Sequence, residues 1–208
     1  LDEDPNSARA RDQIEKTVQR KEAQQQIDWA LDDWRGHDYA AAAEKFDSAL
    51  VICREIGDEN GQAEILDNQG KLLREIQIYK AAIEKYQAIV SLNPSDPDPC
   101  VEISNIYSDI DQTDSAIAWV RRAIKADSTS SWAHNVLGFL LYPLGQTAEA
   151  VEHLALSARF DSTYKYPFYN LGMAYARDGD YDAARRYFLK ATDVDQDYTE
   201  AHGRLSNL

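Results

Sequence analysis

Residues 165–198 carry the sequence KYPFYNLGMAYARDGDYDAARRYFLKATDVDQDY, and this stretch decides the fold. Its apolar residues follow helical spacing on both sides of an Asp-Gly-Asp turn at 178–180, which predicts two short helices joined by a turn. The same pattern recurs upstream with a period of about 34 residues. A helix–turn–helix unit repeated at this period predicts an all-α solenoid in which each unit packs mainly on its neighbours.

Small residues mark the register of this repeat. Two sets recur at the same period, namely Gly70, Ser104, Gly138 and Gly172, and Ala82, Ala116, Ala150 and Ala184. We expect both sets to lie where paired helices cross closely, because a larger side chain there would force the helices apart. Overpacking a tight contact of this kind costs about 1–3 kcal/mol.

The register divides the chain into an extension and an array. Residues 1–22 are predicted to form an acidic tail and a helical extension, and residues 23–208 form the array. The units are expected at 23–61, 62–96, 97–130, 131–164 and 165–198, with a partial closing helix at 199–208. The first unit is longer, since the step from Ala42 to Ala82 exceeds the step from Ala82 to Ala116. Residues 7–34 contain no Gly or Pro, so one long helix and two abutting helices both fit; we favour an extension that runs into the first helix of the array.

The repeated units resemble the tetratricopeptide repeat (TPR). The resemblance is clearest in the fifth unit, where the matching residues are Phe168, Leu171, Gly172, Tyr175, Ala184, Phe188 and Ala191. About five repeats are present over residues 23–208, and the first is similar to a longer variant of the unit. The resemblance implies a right-handed superhelical solenoid of antiparallel helix pairs. It also implies a concave groove, lined by the first helix of each unit, that binds a peptide or helix of a protein partner.

The register places candidate groove residues on the face of each first helix that is not used for packing. They are Asn68, Lys71, Asn105, Trp132, Asn135, Phe139, Tyr142, Tyr166, Tyr169, Asn170, Met173 and Arg177. The early part of this set is charged and rich in amides, which suit hydrogen bonds to an extended peptide. The late part is aromatic, and Tyr and Trp dominate protein interfaces. The alternative is that individual aromatic residues pack on a neighbouring helix.

The charge of the chain limits its partners. The 208 residues include 36 Asp and Glu against 22 Lys and Arg, which gives a net charge of −14. This argues against a nucleic-acid partner, whose phosphates need Lys and Arg. No apolar run approaches the roughly 20 residues that cross a bilayer, so we expect no membrane insertion. Adaptation to high salt and an ordinary soluble acidic surface both fit the composition.

We expect no catalytic, metal or cofactor site. His134 and His153 fall on different helices of one unit, and Glu149 lies one helical turn before His153. We interpret the two histidines as part of an ordinary exposed helix pair, because no further ligand completes a metal site. Cys53 and Cys100 are too few for a disulfide framework and are expected at core or turn positions.

The sequence therefore predicts a non-catalytic interaction scaffold that binds a protein segment in its groove. Two alternatives stay open. The array self-associates as a homo-oligomer through its long N-terminal helix or its closing helix, or it is the interaction arm of a larger multidomain protein. The compartment also stays open: the cytoplasm is slightly favoured, and a periplasmic or secreted chain would require that a signal peptide has been removed.

Overall fold

The computed structural model describes residues 5–208, with side chains described from residue 9 onward, so residues 1–4 of the predicted acidic tail lie outside it. Eleven α-helices and one 3-10 turn make up this range, and it contains no strand. The helices are α1 (Pro5–Arg35), α2 (Tyr39–Glu55), α3 (Glu59–Glu75), α4 (Tyr79–Leu92), α5 (Asp98–Asp109), α6 (Thr113–Ala126), α7 (Ser131–Leu141), α8 (Thr147–Phe160), α9 (Lys165–Arg177), α10 (Tyr181–Val194) and α11 (Thr199–Leu205). The 3-10 turn, Tyr142–Leu144, follows α7 directly. Within the described range, no helix is both long enough and apolar enough to cross a bilayer.

The helices form two compact units. The first ends at Asn93 and contains α1–α4, and the second begins at Pro94 and contains α5–α11. In the first unit, α1 pairs with α2 and α3 with α4, and α2 also packs on α3. In the second unit, the pairs are α5–α6, α7–α8 and α9–α10, while α6 packs on α7, α8 on α9 and α11 on α10. This succession of helix pairs confirms the predicted all-α architecture.

The small residues of the register lie at tight helix crossings, as predicted. A Cβ atom added to Gly138 would lie 2.6 Å from Leu154 Cγ and 2.9 Å from the backbone oxygen of Ala150. A Cβ atom on Gly172 would lie 2.6 Å from the ring of Phe188. Separations this short are below van der Waals contact, so these crossings have no room for a side chain.

Ser104 occupies the same register position as these glycines. Its Oγ donates a hydrogen bond of 2.8 Å to the backbone oxygen of Ala116, which corresponds in the repeat to the Ala150 oxygen beside Gly138. Ser104 is completely buried, and so are all four alanines of the second set, Ala82, Ala116, Ala150 and Ala184. The hydroxyl fits because it replaces a steric contact with a hydrogen bond.

The turn inside each helix pair requires a left-handed residue. Gly145 and Gly179 have φ angles of +78° and +82°, and Gln77 and Asp111 adopt φ angles of +62° and +58° at equivalent repeat positions. For a residue with a Cβ atom, this conformation costs about 1–2 kcal/mol. The turn is therefore kept even in the units that lack its glycine.

The N-terminal extension is one continuous helix with the first helix of the array, since α1 runs for 31 residues. Its face is buried from Ala23 onward, where α1 packs on α2. The preceding part is exposed, with 65% of Ile14 and 59% of Val18 accessible to solvent. An ion pair of 3.0 Å between Arg20 and Asp58 holds the extension against the first turn of α3.

Helix α11 lies within residues 199–208 and packs on α10. Ala201 and the adjacent Tyr198 are buried together with Ala191, and the rings of Phe168 and Tyr169 pack against them. The short helix thus covers apolar surface that the last full helix pair would otherwise expose.

Both cysteines are buried free thiols, as expected for core positions. Cys53 lies near the C-terminal end of α2 and Cys100 in the first turn of α5. Burial raises the pKa of both thiols. A thiol with a raised pKa is a poor nucleophile, which fits a packing role.

The crossing at Gly138 yields a stability prediction. We expect Gly138→Ala to destabilise the protein, because the overpacking cost of about 1–3 kcal/mol outweighs the gain of about 1 kcal/mol in helix propensity. Gly203→Ala is the matched control, since Gly203 is also helical and a Cβ atom there would meet nothing within 4 Å. Urea unfolding should show a loss for the first variant and no loss for the second. A Gly138→Ala protein as stable as the wild type would contradict the crossing geometry.

Candidate functional site

The late aromatic candidates lie on neighbouring helices of the second unit. We call this set the aromatic face and define it by Trp132, Phe139, Tyr142, Tyr166, Tyr169 and Met173, which lie on α7, α9 and the 3-10 turn. Helices α7 and α9 contact each other, and four of these side chains, Phe139, Tyr142, Tyr169 and Met173, line one cavity. Phe139 and Tyr166 are exposed, and the other four are half-buried. The aromatic residues are thus partly packed and partly accessible.

A cavity of about 170 Å³ opens on the aromatic face. It is lined by Gly138, Phe139, Tyr142, Leu154, Tyr169, Asn170 and Met173. Gly138 and Leu154 are buried and form its base, whereas Phe139 stands exposed at its rim. The cavity therefore sits directly above a helix crossing and has an apolar base.

Two of the predicted amides bond to each other instead of pointing separately into the groove. The Nδ2 of Asn170 donates to Oδ1 of Asn135 at 2.9 Å, and the Nδ2 of Asn135 donates to the hydroxyl of Tyr164 at 3.4 Å. Asn135 is buried, and burial raises the pKa of Tyr164 to about 12. Asn135 thus positions Asn170, and Asn170 is the amide that lines the cavity.

Basic side chains at the edge of the aromatic face are held by local partners. Arg177 donates from Nη1 to the backbone oxygen of Tyr142 at 2.7 Å, and its guanidinium lies 5.0 Å above the ring of Tyr142. Lys165 forms an ion pair with Asp195, and its ammonium lies 4.4 Å above the ring of Tyr198. The hydrogen bond to Asp195 raises the pKa of Lys165, so this lysine stays charged.

The aromatic face differs in charge from the rest of the protein. Neither α7 nor α9 contains an Asp or Glu, although the chain has a net charge of −14. Arg204 on α11 adds another cation, and its Nε lies 3.4 Å from the hydroxyl of Tyr169. The second helices α8 and α10 do carry acidic residues, including Glu149 and Asp182. The surface formed by α7 and α9 is therefore free of carboxylates from its own helices.

The early groove candidates lie apart from the aromatic face in the chain. Asn68 and Lys71 are on α3 in the first unit, and Lys71 forms an ion pair of 2.7 Å with Asp67. Asn105 is half-buried on α5 in the second unit. Among the candidates, the cavity is lined by Phe139, Tyr142, Tyr169, Asn170 and Met173, whereas Asn68, Lys71 and Asn105 are not among its lining residues.

The expectation of an exposed His134–His153 pair is wrong. His134 is only 4% exposed, and its Nδ1 lies 2.8 Å from Nδ1 of His153. The reason is that His134 lies on the inner side of α7, where that helix packs on α8. Among the side chains described from residue 9 onward, no three His, Cys, Asp or Glu residues are grouped to hold a metal ion.

Gly138 was predicted at a helix crossing, but Gly138 and Leu154 were not predicted to form the base of a cavity. Leu154 follows Gly138 at the same spacing at which Phe188 follows Gly172. The repeat register therefore contained the signal, because residues at this spacing meet across the crossing of each pair. The contacts of Lys165 with Asp195 and the ring of Tyr198 had no comparable signal, since they depend on how the start of α9 lies against the turn between α10 and α11.

The base of the cavity yields a second stability prediction. We expect Leu154→Ala to lower the free energy of unfolding by about 2–5 kcal/mol, because Leu154 is fully buried and its loss enlarges the cavity. Leu189→Ala on α10 is the matched control, because Leu189 is exposed and we expect its truncation to cost much less. Chemical denaturation of both variants measures the difference. Equal losses would show that Leu154 does not support this part of the fold.

Known proteins match this chain in sequence over single repeats and longer segments. The family described as Tetratricopeptide repeat matches residues 166–198 and residues 97–130. The small glutamine-rich tetratricopeptide repeat-containing protein 2 of Mycosarcoma maydis is 35% identical over 95 residues, covering 46% of this chain and 27% of that protein. The probable UDP-N-acetylglucosamine–peptide N-acetylglucosaminyltransferase SPINDLY of Hordeum vulgare is 24% identical over 177 residues, covering 81% of this chain and 19% of that protein. The chain thus spans 27% of the length of the first relative and 19% of the length of the second.

Solved structures share the fold. The crystal structure of MamA has a TM-score of 0.62 at 22% identity. The match covers 82% of this chain and 96% of the MamA chain. A thermophilic TPR protein of Thermus thermophilus has a TM-score of 0.68 at 16% identity. The match covers 89% of this chain and 97% of the Thermus chain. YrrB, described as a TPR protein with an unusual peptide-binding site, has a TM-score of 0.60 at 20% identity, with 88% and 91% covered. At these identities the likeness shows the fold alone.

Proposed function

Because this chain is a tetratricopeptide-repeat protein, we propose that it is a non-catalytic scaffold that binds a segment of a protein partner on the aromatic face. The observation that carries this proposal is the cavity of about 170 Å³ with an apolar base and an exposed aromatic rim. Concave sites that combine apolar lining with a few polar groups are the usual form of a binding site.

Exposed aromatic side chains on the aromatic face offer apolar surface to a partner. Phe139 is 54% exposed at the rim of the cavity, and Tyr166 is exposed on the same face. Covering side chains of this size removes apolar surface from water, and full burial of one such side chain contributes about 1.5–3 kcal/mol. A partner that places an apolar side chain in the cavity removes apolar surface from water both on its own side chain and on the cavity lining.

The polar groups favour a peptide as the occupant. Asn170 lines the cavity and is held in place by Asn135, so its amide is oriented before a partner arrives. An oriented amide suits the backbone of an extended segment or the end of a helix. Preorganised groups of this kind lose less entropy on binding.

The wider partner proposals follow from charge and fold. A protein or peptide partner fits the aromatic face. The net charge of −14 argues against a nucleic-acid partner, because phosphates are bound by Lys and Arg. Asn68, Lys71 and Asn105 stay proposed groove residues of the earlier units, and no cofactor is proposed. The peptide-binding site described for YrrB supports peptide binding as one use of this fold.

A variant at the rim of the cavity tests the proposal. Random peptides displayed on phage are selected on the full chain, and the dissociation constant of a selected peptide is measured by calorimetry. We expect Phe139→Ala to weaken binding at least about tenfold, equivalent to about 1.4 kcal/mol, because the rim loses its aromatic contact. Tyr169→Ala, on the opposite helix of the cavity, should weaken binding as well.

The matched control is Tyr181→Ala. Tyr181 is 60% exposed, similar to Phe139, but lies on the second helix α10 outside the cavity. This variant should bind the selected peptide as the wild type does. Equal binding by the wild type and Phe139→Ala, with both folded, would exclude the aromatic face as the binding site.

A second candidate function is self-association, favoured by the exposed Ile14 and Val18 on the extension. It predicts that the molar mass rises with concentration in light scattering, and that the double variant Ile14→Glu/Val18→Glu abolishes the rise because it places charges in the contact. A constant monomer mass would exclude this alternative. The third alternative is that the chain is the interaction arm of a larger protein. It is supported by the two relatives, because the chain matches only 27% and 19% of their lengths.

A further inference from the structure

A pair of stacked histidines joins α7 to α8 in the second unit. The ring centroids of His134 and His153 are 5.0 Å apart with an angle of 29° between the planes, and the two Nδ1 atoms are 2.8 Å apart. His134 is buried and also packs on the ring of Phe160 at 5.5 Å. A short polar contact across this helix pair thus joins two groups of a type that titrates near neutral pH.

The neighbours of the pair decide which nitrogen carries each proton. The Nε2 of His134 lies 3.1 Å from the backbone oxygen of Ser128, which can only accept a hydrogen bond. His134 therefore carries its proton on Nε2, and its Nδ1 is an acceptor while the ring is neutral. It follows that His153 carries a proton on Nδ1 and donates it to His134.

A first additional proton leaves this contact intact. In the neutral pair, the second nitrogen of His153, Nε2, is unprotonated and lies 4.0 Å from Oε1 of Glu149. Protonation there turns His153 into a cation that faces the Glu149 carboxylate and still donates from Nδ1 to His134. Glu149 also receives Arg121 at 2.7 Å, which offsets part of its charge.

A second proton destroys the contact. The nitrogen left to receive it is Nδ1 of His134, which is already occupied by the hydrogen bond from His153. Two N–H groups of two cations would then point at each other across 2.8 Å, and neither would have an acceptor. The doubly protonated pair must therefore separate, which loosens α7 from α8. The hydrogen bond of 2.7 Å from Ser157 Oγ to the backbone oxygen of Ser131 does not titrate, so the two helices stay attached at the start of α7.

The surroundings of His153 disfavour its protonation. The charged groups that face the pair are Arg121 from α6, Asp127 from the turn after α6, and Glu149 and Glu152 from α8. Burial is the largest influence and lowers the pKa of His153 below its ordinary value of 6.5, and the charge of His134 acts in the same direction. The unfolded chain then binds protons more readily than the folded chain. Stability is accordingly complete above about pH 6.5 and falls as the pH drops below that value.

We propose that the His134–His153 pair is a proton-sensitive latch that holds α7 on α8 near neutral pH and releases it in mild acid. The neighbour of His134 in the chain, Asn135, bonds across to Asn170 on α9, and Phe139 lies one turn further along α7. Release of the latch therefore also disturbs the cavity of the aromatic face. Only this last consequence, loss of partner binding in acid, rests on the proposed function.

The test measures thermal stability of the full chain between pH 7.5 and 5.5, above the range in which most carboxylates titrate. We expect the wild type to lose about 2–4 °C across this window. The double variant His134→Phe/His153→Phe keeps two stacked rings and removes both titrating groups, so its midpoint should stay level whatever its absolute value. His202→Gln is the matched control, because His202 is an exposed histidine of the same unit and should leave the wild-type loss unchanged.

A second measurement covers the case in which the double variant does not fold. Nitrogen-15 NMR of the histidine rings of the wild-type protein follows both nitrogens of each residue without any substitution. We expect His134 to be protonated on Nε2 at pH 7.5, and amide protection in α7 and α8 to fall below pH 6.5 before that in α9 and α10. Titration of both histidines without loss of protection, or a double variant that loses as much stability in acid as the wild type, would overturn the proposal. Since neither readout involves a partner, failure of the latch is distinguishable from failure of the proposed function.

Discussion

The close crossing of the two helices in each pair is the constraint on which the other features of this protein depend. At Gly138 and Gly172 the second helix of the pair approaches so closely that an added Cβ atom would lie 2.6 Å from its side chains. At Ser104 the approach is used for a hydrogen bond of 2.8 Å to the backbone of the partner helix. Such a contact commits one face of each first helix to packing, because any larger residue would separate the pair. The opposite face is left for other roles.

The candidate site is a direct consequence of this constraint. The buried base of the cavity, Gly138 and Leu154, is itself one of the crossings, so the same contact stabilises the fold and shapes the site. The rim comes from the outer faces of α7 and α9, which carry aromatic residues and no carboxylates. In a protein this acidic, such a surface concentrates apolar area where charge repulsion from its own helices is absent.

Polar contacts between helices give the second unit its finer organisation. Asn135 orients Asn170 across α7 and α9, while His134 and His153 connect α7 to α8. Buried polar groups of this kind specify one arrangement, since a shift of either helix would leave a donor or acceptor without a partner. Helix α7 is thus held on both sides by side chains whose hydrogen bonds are sensitive to position and, for the histidines, to pH.

The sequence alone determined the repeat, its register and the small residues at the crossings, because these depend on spacing along single helices. It also predicted an aromatic set around Phe139 and Tyr169. It favoured an extension that runs into the first helix of the array, and it placed His134 on an exposed surface. Only the tertiary structure decided that Asn135 bonds to Asn170 and that His134 meets His153. The physical reason is that these contacts join different helices. They depend on the distance and rotation of one helix against another, which the spacing of residues along the chain does not specify.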